Sequence, residues 1–207
     1  MSPRKKTASD DEILEAAARV LARVGPTHLR LADVAAEVGL APATLIQRFE
    51  TKRGLLLAVA RRGGQAMAAQ FAERRRQARS PLDAVTQVGT CVRRLADTPQ
   101  TLANSLAILQ LGLTDPEFGE ISRAHERLLH AEIKRLLQEA IDDGEIAGAT
   151  AQALARAVVA LVRGSLLTWG FRRTGAPDAW IRQDLNTLFA GYRQRRPAAA
   201  RRRARPA

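Results

Sequence analysis

Apolar residues recur at helical spacing along almost the whole chain, and no stretch sustains the apolar–polar alternation of a half-buried strand. In residues 10–24 the apolar side chains share one helical face, namely Ile13, Leu14, Ala17, Val20, Leu21 and Val24. Ser9 is placed to cap this helix, and the acids at its start suit the positive end of the helix dipole. The pattern predicts an all-α protein.

Glycine and proline divide this pattern into predicted helices. Their ranges are 10–24, 31–38, 42–48, 52–78, 81–97, 99–113, 116–142, 149–173 and 177–193. Gly25 and Pro26 are expected to end the first helix. Gly63 and Gly64 are expected to interrupt the fourth. Because each glycine inside a helix costs about 1 kcal/mol relative to alanine, this pair predicts a kink, a close packing contact or a hinge.

The positive charge of the chain is concentrated at its two ends. Nine of the 33 lysines and arginines lie there, against a net charge of +12, at Arg4, Lys5, Lys6, Arg195, Arg196, Arg201, Arg202, Arg203 and Arg205. We expect a flexible basic arm at 1–8 and a disordered arginine-rich tail at 195–207, around a nearly neutral body. Either end neutralises DNA phosphates, which would make binding salt-dependent, or is a solvated extension.

Several classes of protein are disfavoured by the composition. The only cysteine, Cys91, excludes an internal disulfide and zinc-cluster spacing, and a second cysteine to resolve an oxidised Cys91 is lacking. There is no run of 18 apolar residues and no apolar segment after the basic start, which predicts a cytoplasmic protein without a membrane span. With only three histidines, no glycine-rich phosphate loop and no nucleophile elbow, neither catalysis nor a cofactor or metal is expected.

Residues 31–49 have the pattern of a helix-turn-helix: two short helices, a tight turn containing Gly39, and apolar anchors in each helix. Leu45 and Phe49 are four apart and must point inward. The opposite face and its flanks then carry Thr44, Ile46, Gln47 and Arg48, residue types that read base edges or touch thymine methyl groups. Thr51 and Lys52 open the next helix and predict a phosphate contact. By spacing alone, an ordinary helical hairpin remains an equal alternative.

The order of residues from Ile13 to Leu57 resembles the DNA-binding domain of the TetR family of bacterial transcriptional regulators. The matching segments are Gly25, Val34-Ala35, Gly39-Leu40, Thr44-Leu45-Ile46-Gln47-Arg48-Phe49 and Lys52-Arg53-Gly54-Leu55-Leu56. The resemblance implies a helix-turn-helix domain at 9–55 and a helical regulatory and dimerisation domain at 56–194. It also implies a homodimeric repressor that binds a palindromic operator on double-stranded DNA and is released by a small-molecule effector.

Three positions depart from the pattern of the family. Ile46 replaces a tyrosine, and so a hydroxyl that would contact phosphate is lost. Arg30 and Ala41 stand where Ser or Thr usually caps the second and third helices, so these caps must be weaker or come from elsewhere. Arg30 and Arg48 are expected to replace part of the lost phosphate contact.

The second domain is expected to supply a dimer surface and a ligand pocket. Two apolar stripes are predicted to face a partner chain or, alternatively, the chain's own core: Leu154, Val158, Leu161, Ser165, Ile181, Leu185, Leu188 and Tyr192. The predicted helix at 99–113 is apolar on more than one side, which favours central burial and an apolar or aromatic effector. Candidate ligand contacts are Met67, Phe71, Cys91, Asn104, Leu106, Leu109, Gln110, His125, Leu129 and Trp169. A histidine on such an apolar stripe is more often a core residue than a ligand contact, and this is the favoured interpretation of His125.

Two other functions fit parts of the sequence. An architectural protein would bind duplexes without a sequence motif through its basic ends, and its affinity would collapse with added salt. A helical enzyme is the weaker alternative, because the glutamates of the predicted helix at 116–142 suit a solvated face.

Overall fold

The computed structural model describes residues 8–91 and 96–193. Within these ranges the chain forms nine α-helices and no β-sheet, which confirms the all-α prediction. They are α1 (Asp10–His28), α2 (Leu31–Val38), α3 (Pro42–Phe49), α4 (Lys52–Gln77), α5 (Pro81–Thr90), α6 (Pro99–Thr114), α7 (Pro116–Asp142), α8 (Ala151–Arg172) and α9 (Pro177–Ala190). The charged part of the predicted arm, the end of the helix predicted at 81–97 and the predicted tail lie outside the described residues.

The first helix begins where the sequence predicts, but it kinks at Gly25 instead of ending there. The Ser9 hydroxyl accepts a hydrogen bond from the Glu12 amide at 3.2 Å, and the Glu12 carboxylate accepts one from the Ser9 amide at 2.7 Å, forming a capping box. Gly25 leaves helical geometry at φ 76°, a region that glycine enters at little cost. One further helical turn follows it and ends at His28.

The predicted interruption of α4 is wrong. This helix runs through Gly63 and Gly64 over 26 residues without a change of backbone conformation. Close packing, one of the three explanations expected from the sequence, accounts for the pair: the side chain of His125 on α7 lies directly against Gly64. The glycines therefore make a notch in a continuous helix.

Two apolar clusters form the core. The first consists mainly of side chains from α1, α2, α3 and the first turns of α4, and it includes Phe118 of α7. Ile108, Leu111 and Ile121 of α6 and α7 pack against it. The second fills the space between the rest of α4 and helices α5 to α9. Helices α6 and α7 thus bury apolar groups in the core of the first four helices.

Helix α6 is not centrally buried, contrary to the sequence-based expectation. Leu106, Leu109 and Leu113 are 41%, 45% and 81% exposed, on one side of the helix. The buried side carries Leu102 and Asn104, which face α8 and α1. The high leucine content of α6 does not establish burial, because more than half of a folded protein's accessible surface is apolar in any case.

Among the described helices, α8 alone is long and apolar enough to cross a membrane by length and composition. In the structure, 44% of that apolar window is buried inside the chain. Val158, Val162 and Leu166 are among its core-facing side chains. The apolar composition of α8 is accounted for in part by this core.

Candidate nucleic-acid interface

Helices α2 and α3 form the predicted helix-turn-helix. Gly39 ends α2 in the left-handed conformation at φ 69°, and its amide closes the turn on Ala35 and Ala36. Leu45 is fully buried in the first cluster and Phe49 packs against the same cluster. The anchoring residues therefore lie where the spacing predicts, and they orient the rest of α3.

The opposite face of α3 is open. Ile46 is 52% exposed and Gln47 is also exposed, while Thr44 is half-buried at the edge of that face. No hydrogen bond within the described residues engages the amide of Gln47. A glutamine in this position can donate and accept together, as bidentate readout of adenine requires.

Neither α2 nor α3 has a side-chain cap. Arg30 and Ala41 occupy the two cap positions, and neither side chain accepts a hydrogen bond from the helix it precedes. Pro42 at the start of α3 removes one amide that would otherwise lack a partner. The amides of Asp33 and Thr44 bond to the carbonyls of Arg30 and Ala41 at 3.1 and 2.9 Å, which leaves the earlier first-turn amides available to an anion such as a phosphate.

The residues predicted to hold phosphates are engaged to different degrees. Arg30 is exposed, and no hydrogen bond or ion pair ties its side chain to another described residue. The Thr51 hydroxyl accepts from the Gly54 amide at 3.0 Å and so caps α4. Lys52 Nζ donates to the Thr27 carbonyl at 2.8 Å, which leaves two of its three donors free. All three residues lie at loops or helix starts next to α3.

Arg48 is turned away from the exposed face of α3. Its Nη1 donates to the carbonyl of Ala8 at 2.7 Å and to the carboxylate of Asp10 at 3.0 Å. The Asp10 charge offsets that of Arg48, whose side chain is 29% exposed. The sequence placed Arg48 on the flank of the recognition surface but gave no sign of this partner, which is about forty residues away.

Two arginines of α1 hold α2 in place. Arg19 Nε and Arg23 Nη2 donate to the Glu37 carboxylate at 2.8 and 3.1 Å. These hydrogen bonds hold the pKa of Glu37 below its ordinary value. The pair fixes the first helix of the helix-turn-helix against the long helix that precedes it.

An ion-pair contact joins the start of α4 in the first domain to the start of α7 in the second domain. Arg53 Nη2 donates to both carboxylate oxygens of Asp115 at 2.9 and 2.8 Å, and Nη1 donates to Glu117. The guanidinium carbon lies 5.8 Å from the ring centre of Phe118. Hydrogen bonding to Arg53 lowers the pKa of Asp115 and raises that of Arg53 itself.

A second contact between the domains involves Asn104, which the sequence proposed as a ligand contact. Its side chain is buried, and Nδ2 donates to the Ala22 carbonyl of α1 at 2.8 Å. Its Oδ1 accepts from Gln100 at 3.2 Å, and a Cβ at Gly25 would lie 2.7 Å from that oxygen. Asn104 is thus a structural residue between α6 and the kink of α1, which corrects its proposed role.

The other candidate ligand contacts are not brought together in one cavity. Phe71 and Trp169 are buried in the second cluster, Met67 and Leu129 pack against that cluster, and the Trp169 indole donates to the Gly175 carbonyl at 3.0 Å. Leu106, Leu109 and Gln110 lie on the outer side of α6. His125 fills the notch at Gly64, and burial lowers its pKa. Of these candidates, Cys91 lines a cleft between α4, α5 and α9.

Two of the clefts on the second domain are lined mostly by polar and charged residues. One, of about 570 Å³, lies between α4, α5 and the start of α9 and is lined by Gln70, Glu73, Arg74, Gln77, Thr90, Cys91, Asp97, Asp178 and Arg182. The other, of about 880 Å³, lies beside the turn after α7 and includes Arg79, Asp83, Glu145 and Arg193. Neither is the apolar pocket that the sequence predicted.

Most of the proposed dimer residues face inward. Leu154, Val158, Ser165, Ile181 and Leu185 are at most 5% exposed within the single chain, so a partner cannot reach them. Leu161, Leu188 and Tyr192 are half-buried against the same cluster. The structure favours the alternative that these stripes cover the chain's own core, because they contain the large apolar side chains of α8 and α9.

A different side of α8 is free. It carries small residues at helical spacing, namely Ala153, Ala157, Ala160, Gly164 and Thr168, all of them exposed. At its end two large apolar side chains, Leu167 and Phe171, are 45% and 80% exposed. A Cβ added at Gly164 would meet nothing within 4 Å, so another helix could approach closely here.

Two segments of the chain match models of known protein families. The family described as bacterial regulatory proteins, tetR family, matches residues 13–59. The family described as BetI-type transcriptional repressor, C-terminal, matches residues 82–191, more than half of the chain. No curated protein sequence gives a significant match.

Solved structures share the whole architecture at low sequence identity. A putative TetR-family transcriptional regulator from Rhodococcus sp. is 24% identical with a TM-score of 0.66, over 89% of this chain and 97% of that one. A putative transcriptional regulator from Saccharomonospora viridis, solved in complex with choline, is 21% identical with a TM-score of 0.75 over the same shares. The Stenotrophomonas maltophilia repressor SmeT is 20% identical with a TM-score of 0.66, over 92% and 93%. At these identities the likeness establishes the fold.

Proposed function

This chain belongs to the TetR family of bacterial regulatory proteins, and we propose that it is a homodimeric repressor released from a palindromic operator by a small molecule. The architecture is that of a DNA-binding transcriptional regulator. The family consists of transcription factors, so we also propose that the chain acts in the cytoplasm and has no catalytic activity. Each of these finer statements rests on a separate observation.

The observation that supports sequence-specific binding is the open face of α3. Thr44, Ile46 and Gln47 lie on the side of α3 away from the core, and the buried Leu45 anchors the opposite side. A short helix held in this way can enter the major groove and present its side chains to base edges. Ile46 suits contact with a thymine methyl group, and Gln47 suits bidentate contact with adenine.

Phosphate contacts would position this helix on the duplex. Arg30 is free and exposed before α2, and Lys52 has unused donors at the start of α4. The uncapped amides of α2 and α3 add further donors. These groups precede and follow α3 in the chain, and phosphate contacts of this kind fix the orientation of a helix on the duplex.

Selection of bound duplexes from a random library, at about 150 mM salt, tests this proposal. We expect an enriched inverted repeat for the wild type and a loss of that repeat, or of one base pair in each half, for Gln47→Ala. The matched control is Gln138→Ala, because Gln138 is exposed on α7 and bonds only to Asp142. Binding without any enriched motif would favour the architectural alternative.

We propose the free side of α8 as the dimer surface. Its small residues allow close approach of a second helix, and Leu167 with Phe171 would supply apolar burial at one end. Isologous contact of two such helices around a two-fold axis also suits a palindromic operator. This surface replaces the stripes predicted from the sequence.

We propose the cleft containing Cys91 as the effector site. Its volume of about 570 Å³ falls within the range of small-molecule pockets. Glu73, Asp97 and Asp178 line it together with two arginines, so it favours a polar or cationic molecule over the apolar effector expected from the sequence. The Saccharomonospora viridis neighbour, solved with the cation choline, is consistent with this class.

A thermal-shift panel separates these effector classes. Choline and other small organic cations should raise the Tm, and Asp178→Asn should abolish the rise if the cleft is the site. Arg182 pairs with Asp178, so Arg182→Gln is the matched variant that keeps the carboxylate. Stabilisation by neutral aromatic compounds alone would favour the apolar effector expected from the sequence and would reject this cleft as the effector site.

A further inference from the structure

The larger of the two clefts described above, of about 880 Å³, has no part in the proposed function. Its walls come from the start of α5, the turn after α7, and α9 with the residues that follow it. Three arginines line it from separate segments of the chain: Arg79 before α5, Arg182 on α9 and Arg193 after α9. The cleft therefore combines the size of a small-molecule pocket with a concentration of guanidinium groups.

The backbone of Arg193 is fixed at the rim of this cleft. Arg193 forms an antiparallel bridge with Ile146, which is only 1% exposed and belongs to the second apolar cluster. Next to the bridge, the Ala147 amide donates to the Tyr192 carbonyl at 2.8 Å. These contacts tie the end of the described chain to the turn after α7, so that two walls of the cleft are held together before any ligand binds.

The guanidinium groups of Arg182 and Arg193 have few acceptors within the described residues. Arg193 Nη2 donates to the neutral amide oxygen of Asn186 at 3.0 Å, and no described carboxylate pairs with this arginine. Arg182 Nη2 lies 3.9 Å from the Asp178 carboxylate, which is beyond hydrogen-bond length. Because an arginine has five N–H donors, both side chains keep donors for a ligand.

Three carboxylates also line the cleft, and two of them already accept hydrogen bonds around the start of α5. Glu145 accepts from the Ser80 hydroxyl at 2.7 Å. Asp83 accepts from the Arg79 amide at 2.9 Å, whereas the Arg79 guanidinium approaches it only to 3.7 Å. The third, Asp143, is exposed, and no hydrogen bond among the described residues engages its carboxylate. The donors of the cleft thus exceed its free acceptors, which favours an acceptor-rich ligand.

We propose that the larger cleft is a second small-molecule site, which binds an organic oxyanion, a carboxylate or a phosphate ester, through Arg79, Arg182 and Arg193. The planar fork of a guanidinium matches two oxygens of either group. The volume leaves room for the body of the molecule as well as for its charged group. This site goes beyond the proposed function and does not depend on it, although Arg182 lines both clefts.

Isothermal titration calorimetry of the full chain with succinate and with inorganic phosphate tests the proposal. The ionic strength is kept constant with sodium chloride, because a chain of net charge +12 attracts any anion. We expect saturable binding of one molecule per chain. Binding of succinate alone would assign the site to carboxylates, and binding of phosphate alone would assign it to phosphate esters. Heats that do not saturate for either probe would overturn the proposal.

Arg193→Gln separates this cleft from the general positive charge of the chain. We expect it to weaken binding of the probe about tenfold, the usual effect of losing a charge-assisted hydrogen bond. Arg127→Gln is the matched control, because Arg127 is exposed on α7 and lines neither cleft. Arg182 is left unchanged, since it is shared with the smaller cleft. Equal affinities of the two variants would overturn the proposal.

Asp143→Asn tests the sign of the ligand charge. Removal of this carboxylate should strengthen binding of an oxyanion by up to about fivefold, because an exposed repulsion is lost. A gain in affinity cannot result from a folding defect, and thermal unfolding of every variant without probe is measured first. Weaker binding by Asp143→Asn would mean that Asp143 holds a cationic group and would overturn the oxyanion assignment. Neither DNA nor an organic cation enters these titrations, so their failure leaves the proposed function intact.

Discussion

The imidazole of His125 lies against Gly64 so closely that a Cβ at that position would come within 2.6 Å of Nε2. The same Cβ at the neighbouring Gly63 would be 3.9 Å from the ring. One glycine is therefore required by packing and the other is not. This difference matters because α4 connects the DNA-binding helices to the second domain.

Gly64→Ala should separate α4 from α7, while Gly63→Ala should not. We expect Gly64→Ala to lower the free energy of unfolding by about 1–3 kcal/mol, the usual cost of overpacking. Gly63→Ala should raise it by about 0.5–1 kcal/mol, because alanine is the better helix former. Denaturant unfolding of both variants checks this, and Gly64→Ala/His125→Ala should recover the loss. Equal effects of the two glycine variants would contradict the conclusion that His125 packs specifically against Gly64.

The notch should also make stability depend on pH. Burial lowers the pKa of His125 below the ordinary 6.5, so the unfolded chain binds the proton more readily than the folded one. This contribution to stability is present above the unfolded pKa and is lost as the pH falls towards the folded pKa. We expect the Tm to fall between about pH 7.5 and 5.5, and to fall less in His125→Ala. Identical pH profiles for the two proteins would reject the prediction.

Asp115 has two stabilising roles, the ion pair with Arg53 and the cap of α7, and substitutions at this position should separate them. Asp115 also caps α7 by accepting from the amides of Glu117 and Phe118 at 3.0 and 3.2 Å. Asp115→Asn keeps a good cap but removes the charge, whereas Asp115→Ala removes both. We expect Asp115→Ala to lower the Tm more than Asp115→Asn. A lower Tm for Asp115→Asn than for Asp115→Ala would argue against the cap.

The same pair predicts an acid-side loss of stability. Hydrogen bonding to Arg53 lowers the pKa of Asp115 in the folded chain, so the stabilisation is present above the unfolded pKa and disappears as the pH falls through the folded one. In Asp115→Asn this part of the acid dependence should be missing. Titration of wild type and variant by circular dichroism below about pH 4 compares them.

A charged side chain on the free side of α8 should abolish dimerisation without unfolding the chain. Ala160 is exposed in the single chain, and Ala160→Arg would place a long charged group in the middle of the proposed interface. Ala131→Arg is the control, because Ala131 is exposed on α7. Light scattering after size exclusion should give a monomer for Ala160→Arg and a dimer for Ala131→Arg. A dimeric Ala160→Arg variant would place the interface elsewhere.

Lys52→Ala should weaken binding to every DNA sequence alike. Lys52 is proposed to contact a phosphate, which carries no sequence information. The loss of one phosphate contact should lower the logarithmic salt slope by about one for each protomer. Lys134→Ala is the control on α7, since Lys134 is exposed and distant in sequence from the helix-turn-helix. A changed consensus in Lys52→Ala would mean that this lysine reads a base.

Local features of the fold could be predicted from the sequence. The cap at Ser9, the break in helical geometry at Gly25 and the inward anchors of α3 follow from residue type and spacing, because each depends on neighbours a few residues away. The motif from Ile13 to Leu57 added the resemblance to the family that the comparisons show. These signals are all contained in short segments.

Contacts between distant residues could not be predicted in this way. The bonds of Arg48 to Ala8, of Asn104 to Ala22 and of Arg53 to Asp115 join residues 40, 82 and 62 positions apart. Periodicity places each side chain on a face but does not say what that face meets. For the same reason the sequence assigned the large apolar stripes of α8 and α9 to a partner chain, whereas they fill the chain's own core.

The most direct test of the central claim is the affinity of the wild type for its selected inverted repeat, measured against a scrambled duplex of equal length over a range of salt. We expect at least about a 1,000-fold preference for the repeat near 150 mM salt, with one dimer bound. It also predicts that Gln47→Ala loses most of that preference, at about 1–3 kcal/mol for each half-site. Equal affinity for the two duplexes, falling steeply with salt and unchanged in Gln47→Ala, would contradict the claim.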